Sequence, residues 1–245
     1  MNQHLIHYIS RTDSTNNYVK SLLEHEYPPE LSLYLAKEQN KGRGQRGNYW
    51  FSEPGKNHTA TVVFYPSFLP PANQFQLSKF VCLAVIETLS RYINPDNLAV
   101  KWPNDIYYNQ QKIAGILIES SLLGAGFEYV IAGIGINVNQ DFFPSWLPNP
   151  ISIKKITYED TNLLEFNEHL HKTICDKYIP SYILSGKINQ LYLNHLYLFN
   201  QDSHFYSKGK EFKARITDVD PYGHLVLKKD NGKSLSFAFK EVEYR

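Results

Sequence analysis

Apolar residues near the start of the chain recur at helical spacing behind a group of helix-capping residues. The capping types are Asp13, Ser14 and Thr15, whose short polar side chains accept hydrogen bonds from free backbone N–H groups. The apolar positions that follow are Tyr18, Val19, Leu22 and Leu23. Pro28 and Pro29 interrupt the pattern, so we predict one helix that ends before them.

Four further segments of the first half show strand or helix patterns. LSLYLAKEQ (31–39) alternates like a strand, and HTATVVFYP (58–66) is rich in β-branched and aromatic residues. Apolar residues recur at helical spacing between about residues 75 and 93, which predicts a buried helix. LAVKWPND (98–105) is a short strand that ends because its proline forces the preceding Trp102 into an extended conformation.

Two strand-like segments in the middle of the chain predict an antiparallel hairpin. They are KIAGILIESS (112–121) and EYVIAGIGINV (128–138), and the residues between them contain GAG (124–126). Because strands and long helices are mixed with hairpins rather than in strict βαβ alternation, the pattern favours an α+β fold.

The second half of the chain predicts helices followed by short strands. Residues 162–195 have a helical pattern that Pro180 interrupts. From about residue 198 the sequence has a strand–turn–strand pattern, with turns at DPYG and DNGK. We therefore predict a main domain over 1–197 and a small β-barrel over 198–245.

Composition narrows the classes of function. The 245 residues carry 25 Lys and Arg against 24 Asp and Glu, a formal net charge of +1, which predicts no nucleic-acid partner. Cys82 and Cys175 have no C-x-x-C spacing, which indicates a reducing compartment. The chain has neither a signal-peptide pattern nor an apolar run of ~20 residues, so we expect a cytoplasmic protein without a membrane partner.

A glycine-rich basic segment, GRGQRG (42–47), matches the spacing of a dinucleotide-binding loop. Such a loop opens a helix and ends on small apolar residues, whereas this segment runs into NYWF. A solvated basic turn is the plain alternative. The neighbourhood favours a ligand loop, because Arg43 and Arg46 can neutralise anions while Trp50 and Phe51 cover the ligand.

A second group of polar residues follows the Trp-Pro dipeptide. Asn104 and Asp105 are an oxygen pair suited to Mg²⁺, and Lys112 begins the next strand. A lysine here can offset the repulsion between a carboxylate and a phosphate, about 4 kcal/mol at ~4 Å with an effective dielectric of 20. A turn cap and a surface lysine are the plain alternatives.

The predicted hairpin has one face of very small residues. With strand periodicity, Gly133, Gly135 and Asn137 point away from the apolar core set, and Gly115 on the paired strand extends this surface. An elongated ligand can lie directly on such a bare backbone. The alternative is that the glycines allow a helix to pack closely.

Taken together, four motifs resemble those of biotin–protein ligases. They are DSTN (13–16), KEQNKGRGQRGNYWFS (37–52), KWPNDIYYNQQKIAGILIES (101–120) and GIGINVN (133–139). The resemblance implies an α+β catalytic domain with a mixed sheet, like that of class II synthetases, and a small SH3-like barrel. It also implies biotin and ATP as substrates, Mg²⁺, and a biotin carboxyl carrier protein as the acceptor.

The resemblance assigns roles to individual positions. Catalysis is expected of Lys112 and Arg43, and metal binding of Asp105. Biotin contacts are expected from Ser14, Thr15, Asn16, Gln39, Arg43, Gly44, Gln45, Lys112 and Gly115. Nucleotide contacts are expected from Arg46, Trp50, Asn104 and Asn137. Gln45 stands where some relatives carry arginine, so the charge of the loop differs from that in those relatives.

Several alternatives and expectations remain at this stage. A lipoate–protein ligase shares the fold and chemistry, and a non-catalytic binding module is the alternative from another class. We expect a monomer or homodimer, and no gene regulation by DNA binding, because the catalytic motifs begin near residue 13 and no helix-turn-helix precedes them. We also expect the segment after residue 198 to assist ATP use or carrier docking, and the loop at 40–50 to close over biotinyl-AMP.

Overall fold

The structure is a computed structural model that describes residues 5–245, apart from the side chain of Arg46. Its helices are α1 (Thr15–Leu23), α2 (Phe75–Leu89), α3 (Ile153–Thr157), α4 (Leu163–Lys177), α5 (Pro180–Ile183) and α6 (Gly186–Asn194). Its first seven strands are β1 (Ile6–Thr12), β2 (Leu33–Gln39), β3 (His58–Phe64), β4 (Leu98–Lys101), β5 (Asp105–Tyr108), β6 (Gln111–Leu123) and β7 (Gly126–Ile136). The later strands are β8 (Asp202–Ser207), β9 (Lys210–Val219), β10 (Leu225–Lys228), β11 (Ser234–Phe237) and β12 (Glu243–Tyr244).

The first seven strands form one mixed sheet in the order β1-β2-β3-β7-β6-β5-β4. β1 pairs with β2 in parallel, and the other neighbours are antiparallel. The predicted hairpin is confirmed as β6 and β7, with Gly115 directly opposite Gly135. The α+β class is therefore confirmed, while β1 and β5 were not predicted: β1 (IHYISRT) carries several polar residues, and β5 (DIYY) has only four residues.

Both faces of this sheet are covered near its centre. α1 packs on one face, where Val19 and Leu23 contact Tyr34, Val63 and Ile131. α2, α4 and α6 cover the other face and enclose the main core. Residues 33–36 are consequently all buried, so the alternation predicted for 31–39 is not reflected in burial.

The helical stretch is interrupted at the predicted proline. Asn162 caps α4 by accepting hydrogen bonds from the backbone N–H groups of Leu164 and Glu165. Pro180 occupies the first turn of α5, where its missing N–H costs no helical hydrogen bond. No helix among residues 5–245 is both long and apolar enough to cross a membrane.

The last five strands form a second, antiparallel sheet in the order β11-β10-β9-β8-β12. Lys79 of α2 is buried against this sheet, and its ammonium donates to the carbonyl of Val219 at 3.1 Å. The Trp102 indole donates to the carbonyl of Gly223 at 2.9 Å, and the Phe75 ring lies against the same glycine. The division at 197/198 stays a prediction.

Candidate active site

A cavity of about 690 Å³ lies on the glycine face of the β6–β7 hairpin. Twelve of the residues proposed from sequence line it: Ser14, Thr15, Asn16, Gln39, Arg43, Gly44, Gln45, Trp50, Asn104, Asp105, Lys112 and Gly115. Asn137 does not line it, and the side chain of Arg46 lies outside the described part of the structure. Residues from four separate parts of the sequence thus meet around one space.

One end of the cavity is a network of neutral polar groups. The backbone N–H of Thr15 donates to Gln39 Oε1 at 2.7 Å. The Thr61 hydroxyl lies 2.8 Å from Thr15 Oγ1 and 2.6 Å from Asn16 Oδ1. All four residues are buried, so their donors and acceptors are held in fixed directions. Thr61 was missed from sequence because nothing distinguishes it from other strand threonines.

Three glycines, Gly115, Gly133 and Gly135, form the floor of the cavity. A Cβ atom on Gly133 would lie 2.4 Å from Asn16 Oδ1, and one on Gly135 would lie 2.4 Å from Trp50 Cε2. Since such separations are far below van der Waals contact, any larger residue would displace these side chains. The glycine floor therefore lets an amide and an indole of the protein itself lie directly on the sheet. At Gly133 the amide comes from α1, as the alternative of close helix packing expected, and ligand contact with the floor stays a prediction.

A lysine–aspartate pair stands at the centre of the site. Lys112 Nζ is 2.7 Å from Asp105 Oδ1, and both side chains are about a quarter exposed. The pairing of β5 with β6 brings them together, because it places Asp105 opposite Gly115 and Tyr107 opposite Lys112. The ammonium also lies 5.6 Å from the centre of the Trp50 ring. A cation is thus held beside the indole within the cavity.

Asn104 and Asp105 hold different positions from those expected of a free turn. Asp105 is the first residue of β5. The Asn104 side-chain amide donates to the carbonyl of Ile116, whose N–H donates back to the Asn104 carbonyl at 3.0 Å. The turn is therefore tied to β6 beside Lys112.

The donor set near Asp105 is sparse for a metal ion. The described residues contain no group of three or more His, Cys, Asp or Glu side chains placed to hold one. Mg²⁺ commonly takes only one or two protein carboxylates together with water and substrate phosphates. The Asp105 carboxylate lines the cavity and is paired with Lys112. It therefore fits a cation that is held mainly by nucleotide phosphates and that shares this carboxylate with the lysine.

The residues 42–50, here called the covering loop, fold back over the floor. Gly44 donates from its backbone N–H to the Asn48 carbonyl at 2.7 Å, and Trp50 donates to the Gly42 carbonyl at 2.9 Å. A Cβ on Gly42 would lie 2.3 Å from the Trp50 oxygen, which explains the need for glycine there. Trp50 Nε1 and Gln45 Oε1 are buried and make no hydrogen bond within the described part of the chain.

Asn137 supports the site indirectly, through the segment at 149–151. Its side-chain amide donates to the Ile151 carbonyl at 2.9 Å, and the residue is 4% exposed. The backbone of Lys112 bonds to the same segment, donating to Asn149 and accepting from Ile151. In this structure Asn137 thus supports the strand that carries Lys112, and its contact with nucleotide stays a prediction.

The C-terminal sheet supplies part of the rim, which the sequence did not predict. Its lining residues are Phe239, Lys240, Val242, Glu243 and Tyr244. Burial raises the pKa of Tyr244, and the Lys101 ammonium lies 5.3 Å from the centre of its ring. No local motif marks these residues, because only the docking of the two sheets brings them to the cavity.

The sequence matches a model of known proteins over the residues that build this site. Residues 8–137, more than half of the chain, match the model described as the Biotin/lipoate A/B protein ligase family. The chain belongs to this family. The match ends at Asn137, so it covers the floor, the covering loop and the lysine–aspartate pair but not the second sheet.

Individual relatives agree with the family assignment. The chain is 42% identical over 134 residues to "Biotin--[acetyl-CoA-carboxylase] ligase" of Paracoccus denitrificans, an alignment that spans 53% of each chain. It is 29% identical over 242 residues to "Bifunctional ligase/repressor BirA" of Bacillus spizizenii, across 95% of this chain and 71% of that one. The first alignment thus spans about half the length of its relative.

A solved family structure has the same fold along almost the whole chain. "Biotin protein ligase from Aquifex aeolicus in complex with biotin and ATP" superposes with a TM-score of 0.77 at 22% identity and covers 98% of both chains. At this identity the superposition supports the fold, including the second sheet, which has the place expected of the SH3-like barrel.

Proposed function

We propose that this protein is an ATP-dependent biotin–protein ligase. A biotin carboxylate oxygen attacks the α-phosphorus of ATP, the bond to the β-phosphate oxygen breaks, and pyrophosphate leaves. The ε-amine of a lysine on a biotin carboxyl carrier protein then attacks the acyl carbon of biotinyl-AMP. The C–O bond to AMP breaks, an amide forms, and the amine proton passes to solvent.

The position of Lys112 carries this proposal. Its ammonium lines the cavity, paired with Asp105 and 5.6 Å from the centre of the Trp50 ring, where the carboxylate of one substrate and the α-phosphate of the other would meet. Two anions repel each other strongly at contact distance. A fixed cation that faces both lowers the barrier without reorganising during the reaction, while the cavity holds the substrates in place.

Each end of the cavity suits one substrate. The Thr15, Asn16 and Gln39 network offers donors and acceptors that match the ureido group of biotin at a buried end. Trp50 offers a flat ring for an adenine base, and Gly115 and Gly135 let that ring lie directly on the sheet. Mg²⁺ held near Asp105 would neutralise phosphate charge.

Lipoate is the alternative substrate, because the family includes ligases for both cofactors. The KWPND motif with the lysine of KIAGI favours biotin, as do relatives whose names are biotin ligases. The decisive measurement is pyrophosphate release from ATP, with biotin, lipoate or neither. Release that depends on lipoate, or on neither compound, would overturn the proposal, as would a carrier domain whose mass stays unchanged after incubation with enzyme, biotin and Mg·ATP.

We assign the second sheet to ATP use. Lys240 is an exposed residue at the cavity rim with a positive φ of 72°. Its ammonium can meet the outer phosphates there. Lys240→Ala should raise the KM for ATP several-fold and leave the KM for biotin unchanged. Lys208→Ala is a matched control, because Lys208 is exposed in the same sheet, has a φ of 50° and does not line the cavity. Equal kinetics of both variants would exclude this role.

We propose that the reaction takes place in a reducing compartment. Cys82 and Cys175 are both free thiols, which suits a reducing compartment such as the cytoplasm. A carrier lysine has to reach the acyl-adenylate, so the carrier is expected to dock where the cavity opens.

A further inference from the structure

Glu119 is a nearly buried carboxylate on β6 that neither the sequence motifs nor the family resemblance marked. Its side chain is 18% exposed and faces α1 and the covering loop. Lys20 Nζ lies 2.5 Å from Oε1, and the Asn16 side-chain amide donates to Oε2 at 2.8 Å. Two separate parts of the chain, α1 and the covering loop with its Arg43, therefore converge on this carboxylate of β6.

Arg43 uses both arms of its guanidinium on this carboxylate. Nη2 donates to Glu119 Oε1 at 3.1 Å and Nη1 to Oε2 at 3.2 Å, while Nη1 also donates to Asn17 Oδ1 at 2.6 Å. A planar two-armed contact of this kind fixes direction as well as distance. The guanidinium is thus turned toward α1 and β6, although the sequence predicted that it neutralises the reacting anions.

We propose that Glu119 is the positioning residue that holds the covering loop over the cavity, through Arg43, before any ligand binds. This inference rests on the proposed biotin ligase function for its kinetic consequences but not for its structural ones. The loop contains three glycines, and its backbone hydrogen bonds described above join residues of the loop to one another. Its own composition and backbone therefore do not specify a closed conformation over the sheet. A side-chain tether to the sheet supplies what the backbone lacks.

The electrostatics suit a permanent tether. Burial acts to raise the pKa of Glu119, but hydrogen bonds from Lys20 and Asn16 and the charges of Lys20 and Arg43 outweigh it, and the pKa lies below its ordinary value. The carboxylate is therefore ionised throughout the neutral range. Because Lys20 also contacts it, loss of Arg43 alone does not leave a buried charge unpaired.

Proteolysis of the ligand-free protein tests the tether directly. Chymotrypsin after Tyr49, which is 46% exposed, reports loop opening without altering a charged cleavage site. Glu119→Gln keeps the shape of the side chain, and we expect it to speed this cleavage about 10-fold, the effect of losing a hydrogen bond between charged groups. Glu128→Gln on β7, whose carboxylate accepts from Ser121, is the control and should cleave like the wild type.

A double-mutant cycle separates a tether from a general weakening of the fold. Arg43→Gln should also speed cleavage about 10-fold, and the double variant should cleave no faster than either single variant, because both remove one interaction. Additive effects near 100-fold, or wild-type cleavage in Glu119→Gln, would overturn the proposal. Arg43→Gln keeps the Glu119–Lys20 pair, so it also reports if Glu119→Gln does not fold.

Kinetics then show how the tether serves the reaction. Glu119→Gln should raise the KM for biotin and release more free biotinyl-AMP, with a smaller change in kcat for pyrophosphate release, since the carboxylate touches no reacting atom. A fall in kcat alone would contradict a positioning role. If the wild type lacked biotin-dependent activity, the proposed function would fail while the proteolysis still decided the tether.

Discussion

The floor and the covering loop enclose the same cavity but are held in place by different physics. β6 and β7 are paired along ten residue positions from Ala114 to Leu123, so a ladder of backbone hydrogen bonds sets the position of the glycines, and Lys112 is held by its backbone bonds to Asn149 and Ile151. The covering loop is held by side chains instead, through Trp50 on Gly135 and the ion pair between Arg43 and Glu119. Under the proposed function, the floor places the reacting groups and the loop retains the intermediate.

The largest expected effect is on the floor. Lys112→Ala should reduce biotin-dependent pyrophosphate release by about 10²–10³-fold, because its ammonium is the cation fixed beside Asp105 and the Trp50 ring. The fold should survive, since Lys112 is about a quarter exposed, and unchanged circular dichroism would verify this. Near wild-type release by a purified variant would show that the chemistry does not depend on the floor.

Substitutions along β7 should divide the floor into two substrate ends. Gly133→Ala places a methyl group on Asn16 and should raise the KM for biotin by about 10-fold or more, the effect of a misplaced positioning group. Gly135→Ala displaces Trp50 and should act on the KM for ATP instead. A Cβ on Gly126 of the same strand meets no atom within 4 Å, so Gly126→Ala is the control. Equal changes of the two KM values in all three variants would mean that the substitutions only destabilise β7.

Gln45→Gly tests retention by the covering loop. The variant removes a side chain that lines the cavity and adds flexibility, so closure should loosen and adenylate should escape. We expect several-fold more AMP per carrier modified, and biotin on bystander lysines, while the initial rate of pyrophosphate release changes little. Tight coupling in the variant, with no excess AMP per carrier modified, would indicate that another element excludes water.

The smallest expected effect on activity comes from a histidine that supports the sheet. His58 of β3 is fully buried, with Nδ1 2.7 Å from Asn167 Oδ1, and burial lowers its pKa to about 4. Because the unfolded chain takes up the proton first, the free energy of unfolding should fall as pH drops from about 6.5 toward 4.

Denaturant unfolding at two pH values measures this effect. His58 should contribute a loss of about 2 kcal/mol between pH 7 and pH 5. His58→Gln should show a smaller loss over the same interval, since it has no group that titrates there. A parallel loss in both proteins would mean that other groups destabilise the sheet.

The floor could be predicted well from sequence because its information is local. Alternation along 128–138 identifies which residues face the core, and the lysine seven positions after Asp105 begins the next strand. Strand pairing then brought Asp105 and Lys112 to 2.7 Å, with the segment at 149–151 bonded to the backbone of Lys112. The start of α1 and the proline break at Pro180 also followed from local chemistry, but the predicted cap is wrong in detail: Ser14 makes no side-chain cap hydrogen bond, and the Thr15 N–H donates to the distant Gln39.

The surroundings of the floor were harder to predict. Asn137 has the right position in its motif, yet its amide turns to the Ile151 carbonyl. Arg43 is correctly placed in the loop, yet its partner is 76 residues away on β6. A motif specifies where a residue is in the chain, whereas the direction of a long side chain depends on which acceptors the fold brings near it.

The sequence by itself determined the family, the α+β elements and the chemical types gathered at the site, since periodicity, glycine spacing and capping act between near neighbours. Only the tertiary structure decided that Glu119 anchors the covering loop and that the C-terminal sheet completes the rim of the cavity. Those contacts join residues about 75 to 200 positions apart, and their formation depends on sheet register and on the packing of α1, α2 and the second sheet. No short segment of the chain contains that information.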